Sequence, residues 1–343
     1  MSAAALPRIA ITLGDPAGIG PEIALKAALD PAVREVCRPV LFGDRVVLEQ
    51  HAKACGLTPA IHSFTRAADA QWKNDAVALV ERRQFSPGEL LLGTITGSHG
   101  ESALDSAKAA IDAALAGDVD AVVAAPQTEA AIKLAGIEFD GYPTFVARCT
   151  GVPPEDAFLM LCFDANHDKA GEARSEIRIV HATLHVSVRH ALELLTRDRV
   201  LNAIRSADSA LRRFGVRAPR LAVSGLNPHA GENGLFGDEE RTVITPAIRD
   251  AARNGVAAEG PFGADTMFLK TGYDAFVVML HDQGHIMAKT HAFEGTAAVT
   301  IGTPVLFSSV AHGSALEIAG RNRASPGAVI SAVRRLAGMA AIA

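Results

Sequence analysis

The strongest constraint on the fold is a regular alternation of two kinds of segment. Short, mainly apolar runs stand at 8–13, 39–42, 121–124, 177–180, 220–223, 275–280 and 297–301. Between them lie alanine-rich stretches, 102–115 and 201–213 the clearest, whose apolar residues recur three and four positions apart, the period of an amphipathic helix. A strand that is apolar on both faces must be covered on both, and helices threaded between strands supply the cover. The pattern predicts an α/β fold with a largely parallel sheet. With 343 residues, 49% of them hydrophobic, the chain has material for two domains. No Pro-, Gly- or Ser-rich linker divides it, so any second domain is expected as an insertion in the first.

Acidic and basic side chains, 38 and 33 in number, are spread along the chain for a net charge of -5. Nothing forms the basic stripe a polynucleotide binder needs, so no nucleic-acid partner is expected. No apolar run approaches the roughly 18 residues of a membrane span, and the opening MSAAALPR has neither a charged start nor an apolar core. We expect a cytoplasmic protein without a membrane partner. Cys37, Cys55, Cys149 and Cys162 lie far apart with no C-x-x-C, which fits reduced, core-packed thiols. The polar stretch 164–175, with His167, reads as an exposed loop or hairpin.

After the first run comes Gly14-Asp15-Pro16-Ala17-Gly18-Ile19-Gly20-Pro21-Glu22, then a helical pattern. Strand, glycine turn and helix stand in the order of a dinucleotide-binding loop. Pro21, however, removes a backbone N–H that would face a pyrophosphate, and Glu22 puts a negative charge where an anion should sit. This is not the ordinary fingerprint. A tight turn with Pro at the first helical position is the plain alternative. Asp15 and Glu22 at the carboxyl end of a parallel strand, where α/β sheets bind ligands, are the reason to expect function.

Three of the twelve histidines follow apolar runs in polar or glycine-rich contexts: His185, His229 in Asn227-Pro228-His229-Ala230-Gly231-Glu232, and His281 in His281-Asp282-Gln283-Gly284-His285. Three neutral imidazoles with one open position suit a catalytic divalent ion, zinc first and magnesium, cobalt, nickel, manganese or iron after it. No local spacing rule ties them together. Asp265 and Asp282 are candidates to orient an imidazole or a water, or simply to cap a turn.

Near the end stands Ala311-His312-Gly313-Ser314-Ala315-Leu316-Glu317-Ile318-Ala319-Gly320. Its small residues allow close backbone approach to a ligand, and His312 can stack on or hydrogen-bond an adenine. With the GDPAGIGPE turn and LHDQGH, this segment makes the chain resemble the 4-hydroxythreonine-4-phosphate dehydrogenase family from Ile9 to about Gly327. That family has the isocitrate/isopropylmalate dehydrogenase-like fold. The resemblance implies two α/β/α domains, the cofactor side at 1–133 with 302–343 and an inserted metal, substrate and dimerisation domain at 134–301. It implies NAD along His312, Gly313, Ser314, Ala315 and Gly320, near Asp15 and Glu22. It also implies a homodimer whose metal site, His185, His229 and His281, is shared between subunits, with Lys289, Asp282 and Asp265 as catalytic candidates.

Members acting on phosphorylated substrates hold the phosphate with a His-Thr pair after a glycine and with an Asn and an Arg downstream of the family lysine. Here Tyr142-Pro143 follow Gly141, and Ala298 and Phe307 stand at the Asn and Arg positions. Glu129 replaces the lysine of the family's P-x-x-K. Each lost charge-assisted bond to a phosphate costs on the order of 1.5–3 kcal/mol. Tyr142, Pro143, Lys289, Ala298 and Phe307 are therefore the candidate substrate-binding residues for something unphosphorylated. Pro126…Glu129, Gly141-Tyr142-Pro143, the run 178–185, the run 280–286 and Ser308-Ser309-Val310 together resemble the terephthalate dihydrodiol dehydrogenase branch, which oxidises and decarboxylates a cis-dihydrodiol to protocatechuate. An apparent lengthening at 166–176 separates the chain from that branch. Alternatives are a dehydrogenase of 4-hydroxythreonine phosphate or of a phosphorylated four-carbon sugar acid, a metal-dependent hydrolase, and a non-catalytic metabolite-binding regulator.

Overall fold

The computed structural model describes residues 6–72, 76–164, 176–292 and 295–342; the expected loop at 164–175, with His167, lies outside them apart from Asp164. Twelve strands form among these residues. They are β1 (Arg8–Thr12), β2 (Arg38–Gly43), β3 (Ala60–Phe64), β4 (Ala76–Glu81), β5 (Ala121–Ala124) and β6 (Phe158–Phe163), then β7 (Ile177–His181), β8 (Arg220–Ser224), β9 (Ala257–Phe262), β10 (Ala275–Val278), β11 (Ala297–Ile301) and β12 (Phe307–Val310). All seven apolar runs of the sequence are strands. The remaining five are β3, β4, β6, β9 and β12. No described helix is long and apolar enough to cross a membrane.

The chain divides into two compact units, one of residues 1–150 and 304–341, the other of 151–303 with 342–343. In the first, strands run in the order β3-β4-β2-β1-β5-β12, every pairing parallel. The helix Gly97–Leu115 shows why the sequence pattern works. Thr96 accepts a hydrogen bond from the His99 N–H to start it, and Ala103, Leu104, Ala107, Ala110 and Ile111 form its buried face. That face meets Ala10, Val40, Val122 and Phe307 in one core cluster. The helix begins five residues before the expected 102. Gly100 permits this, since a Cβ there would lie 2.5 Å from the Ala131 backbone.

In the second unit the order is β11-β6-β7-β10-β8-β9. Only β6 runs against its neighbours; β7, β10, β8 and β9 are mutually parallel. The helix Arg197–Arg213, capped by Thr196, buries Val200, Leu201, Ala203, Ile204 and Ala207. A separate core holds Leu161, Phe163, Ile179, Ala222, Met267, Val278 and Ala298.

The first crossing between units falls at 150/151 rather than the expected 133/134. The helix Tyr142–Thr150 keeps residues 134–150 in the first unit, because Tyr142 and Val146 are part of that unit's core. The return crossing, at 303/304, lies two residues beyond expectation.

Candidate active site

Because β7, β8, β9 and β10 are parallel, the loops after them leave from one edge of the second unit, the edge where α/β sheets place ligands. His185, His229, Asp265 and His281 all stand in or just beyond those loops. The run 275–280 ceases to be a strand at Val278, where the Gln283 side chain takes over. Its Oε1 accepts hydrogen bonds from the N–H groups of Met279 and Leu280, 2.9 and 3.0 Å, and so starts the helix His281–Ala292. The segment after β7 is pinned to the same place. Ala182 N–H donates to the Val278 carbonyl, and the Thr183 hydroxyl to that of Met279 at 2.7 Å. These bonds bring His185 and His281 together, ring centroids 5.8 Å apart.

His229 arrives by a different device, the turn Pro228–Gly234. His229, Ala230, Gly231, Glu232 and Asn233 are all left-handed, with φ from 44° to 79°. Its Nδ1 meets Glu232 at 3.2 Å, and His281 Nδ1 meets Asp282 at 2.6 Å. A carboxylate on Nδ1 leaves Nε2 as the nitrogen offered to a ligand, the arrangement usual for metal-bound histidine. In donor chemistry these residues fit a divalent ion. Within one chain, however, no three described His, Cys, Asp or Glu side chains are grouped so as to hold one. Lys289 is exposed on the helix that His281 opens, and Asp265 is exposed in the loop after β9.

Two histidines that the sequence did not single out back this group. His181 is 1% exposed and neither ring nitrogen has a partner among the described residues. Its ring lies 4.7 Å from that of His285, which stacks on His281 at 3.8 Å. Burial, then the neighbouring imidazoles, drives His181 well below the usual histidine range and His285 down to about 4. His281 therefore rests on a neutral ring near pH 7. The four-residue spacings of His181 to His185 and His281 to His285 were the available signal.

In the first unit three motifs meet at the carboxyl ends of β1, β5 and β12. Asp15 N–H donates to the Pro126 carbonyl at 2.9 Å, Ile19 N–H to that of Ser314 at 2.8 Å, and the Thr128 hydroxyl to Ser314 Oγ at 2.9 Å. Gly18 has to be glycine here, since a Cβ would stand 2.7 Å from Ser314. His312 is half-buried and bonds the Gly313 carbonyl, while Gly313 is exposed with open space where a side chain would go. Ala315 is left-handed at φ 40°, and Gly320 packs on Leu92.

Asp15 and Glu22, expected on the cofactor side, lie in the interior of the turn. Both are fully buried and serve the chain itself. Asp15 accepts from the Ala17 N–H, and Glu22 from the Ala324 N–H and the Lys26 ammonium. Glu22 ties the glycine turn to the segment beyond Gly320, and Asp15 Oδ2 and Glu22 Oε2 have no partner among the described residues.

The four residues at the family's phosphate-binding positions are likewise interior. Phe307 is 0% exposed and its ring centroid lies 4.9 Å from that of Tyr142 in the first core. Pro143 is buried beside them, and Ala298 is buried in β11 of the second core. Phe307, expected as a substrate-binding residue, thus belongs to a closed aromatic pair. One polar atom in it stands out, the Tyr142 hydroxyl, buried with no partner among the described residues.

Largely parallel strands that carry imidazoles and a lysine near the carboxyl edge of one unit, and close-packed glycine loops at that edge of the other, are features of α/β enzymes that bind ligands at strand ends. Residues 35–336 match the family described as Pyridoxal phosphate biosynthetic protein PdxA. The chain belongs to that family and is one of its dehydrogenases. It is 40% identical over 329 residues, 96% of each chain, to a 1,2-dihydroxy-3,5-cyclohexadiene-1,4-dicarboxylate dehydrogenase of a Comamonas species. A Clostridium botulinum relative provisionally named D-threonate 4-phosphate dehydrogenase is 37% identical over 330 residues, 95% of each. The crystal structure of a Klebsiella pneumoniae 4-hydroxythreonine-4-phosphate dehydrogenase superposes with a TM-score of 0.85 at 32% identity, covering 97% of this chain and 99% of that one.

Proposed function

We propose that this dehydrogenase oxidises a carboxylated cis-dihydrodiol, such as that of terephthalate, with NAD and a divalent metal, and that loss of CO₂ follows. The observation that carries this reading is the Tyr142–Phe307 pair. Where phosphate-binding members of the family place an arginine and a His-Thr pair, this chain has two aromatic rings closed on each other, and neither of them supplies a cation to meet a phosphate dianion. The name of the Comamonas relative supports the same substrate class. The Clostridium and Klebsiella relatives carry names with phosphorylated substrates, which makes that class the competitor to test.

His185 and His281 would hold the metal from one chain, with His229 supplied by a second copy. Val186, Val188, Leu192, Leu235, Phe236 and Ile286 are exposed apolar side chains close in sequence to these histidines, a composition suited to a homodimer interface. When bound, the metal would acidify the substrate hydroxyl and the nicotinamide would accept the hydride. Asp282 and Glu232 hold the Nδ1 sides of their imidazoles. The Lys289 ammonium binds a substrate carboxylate or moves a proton. His312 and Gly313 offer an open segment to the adenine end of the cofactor. Oxidation of a CH–OH next to the carbon that bears a carboxylate leaves a β-keto acid, and in a cyclohexadiene ring aromatisation drives its loss of CO₂. NADH formation followed at 340 nm with terephthalate dihydrodiol beside 4-phosphohydroxythreonine tests the reading. Turnover of the diol with release of CO₂ is expected; turnover of the phosphorylated compound alone would overturn it.

A further inference from the structure

We propose that Glu240 is a positioning residue for His229, its carboxylate fastening the left-handed turn Pro228–Gly234 that presents this imidazole. The metal role of His229 rests on the function proposed above; the fastening itself does not.

Four residues of the turn other than Gly231 are left-handed, a conformation that L residues seldom adopt even singly. Such a run persists only where its surroundings over-determine it. Here one side chain anchors the two residues that lead into the run, with Glu239 sharing the Asn227 amide at 2.7 Å. Glu240 is 6% exposed. Its Oε1 accepts from the N–H groups of Leu226 and Asn227 at 2.8 and 2.7 Å, and its Oε2 from the Asn227 side-chain amide at 3.0 Å. The Asn227 carbonyl then accepts the Ala230 N–H at 3.1 Å, and the Gly231 carbonyl that of Phe236 at 3.2 Å.

The glycines around the turn are shaped to this carboxylate. A Cβ on Gly231 would lie 2.7 Å from Glu240 Oε2, and one on Gly225 would lie 3.1 Å from Oε1. Gly237 leaves room in the same way for Asn227 and Glu239, each 2.6 Å from where its Cβ would be. The segment from Gly225 to Glu240 is therefore one closed knot, with His229 exposed on its outside. A carboxylate with three donors on it is spent on geometry rather than on chemistry of its own.

The test uses the full-length protein stripped by chelator and titrated with Co²⁺, read by its visible absorption, together with amide hydrogen exchange across 228–234. The variants are Glu240→Gln, which keeps one acceptor oxygen but turns a donor toward the Asn227 amide, and Gly231→Ala, with His229→Ala as the metal control. Glu240→Gln and Gly231→Ala should speed exchange in the turn and weaken Co²⁺ binding about 10- to 100-fold, with the thermal midpoint of the chain little changed. Exchange at the wild-type rate in Glu240→Gln overturns the proposal whatever the metal does. Faster exchange with wild-type Co²⁺ affinity, while His229→Ala loses the ion, overturns the positioning role. Undiminished Co²⁺ binding by His229→Ala removes this histidine from the metal site, and with it the function assigned to the turn.

Discussion

Replacing Tyr142 by phenylalanine should make the ligand-free protein more stable. The Tyr142 ring is held by Phe307 at 4.9 Å and by Phe139 edge-on at 5.5 Å, contacts that phenylalanine keeps. What disappears is a buried hydroxyl with no partner among the described residues. Leaving such a group unsatisfied costs about 1–3 kcal/mol, so the variant should gain at least ~1 kcal/mol. In a unit of this size that corresponds to roughly 2–4 °C in Tm per kcal/mol. Tyr142→Ala, which removes the ring, should instead cost about 3–5 kcal/mol. The pH dependence has a definite sign. Burial raises the phenol above its ordinary value of 10.0, so the neutral form is favoured in the folded state. Wild-type stability is full below pH 10 and falls as pH rises beyond it, a loss Tyr142→Phe should not share. Differential scanning calorimetry at pH 7.5 and across pH 9–11 measures both. If the hydroxyl also meets the substrate, the stabilised variant should show a raised KM with its fold intact. A lower Tm for Tyr142→Phe at neutral pH would refute the reasoning, since it would mean that the hydroxyl already has a partner in the free protein.

Native thiol titration should find about one accessible cysteine, the half-buried Cys149, whose thiol is itself raised by burial, because Cys37, Cys55 and Cys162 are buried and the Cys37 thiol is pushed up to about 12 by burial against the lesser pull of Arg38; modification of Cys37 at pH 8 ahead of Cys149 would contradict this packing. Val188→Asp, at an apolar side chain 67% exposed, should shift sedimentation toward the monomer and lower bound metal in step. A monomeric variant with full metal content would argue against a shared site.

Much of the fold was legible because buried strands advertise themselves. The runs at 121–124 and 297–301 became β5 and β11 without change of boundary. Strands β4 and β6 obey the same rule, with AVALV and FLMLCF buried almost throughout, and were open to the same reading. Edge strands are different. β3 is only half-buried and includes His62 and Ser63, while β9 is largely exposed and pairs with an irregular register. Neither has an apolar signature to show, because neither is covered on both faces.

The site was legible in its residue types and less so in its contacts. His185 and His281 meet because Thr183 bonds the Met279 carbonyl, a long-range pairing that no local pattern announces. Tyr142 and Phe307 touch across more than 160 positions of chain. Asp15 and Glu22 read as ligand contacts because charged residues in a glycine turn usually face solvent. Only the packing of Ala17 and Ala324 against them reveals two buried carboxylates, each bonding the backbone through one oxygen.

The late return of the chain to its first unit sets an order of events during synthesis. β12 pairs with β5, and the helix Gly327–Ala340 buries Val329, Val333 and Leu336 in that unit. While the second unit is being made, one side of β5 has no strand to pair with, for on the order of 10–40 s at ordinary elongation rates. The inserted unit leaves the ribosome whole while its host is still unfinished, so the nascent chain passes through a stage with an unguarded sheet edge. Truncations before 307 would be caught at that stage.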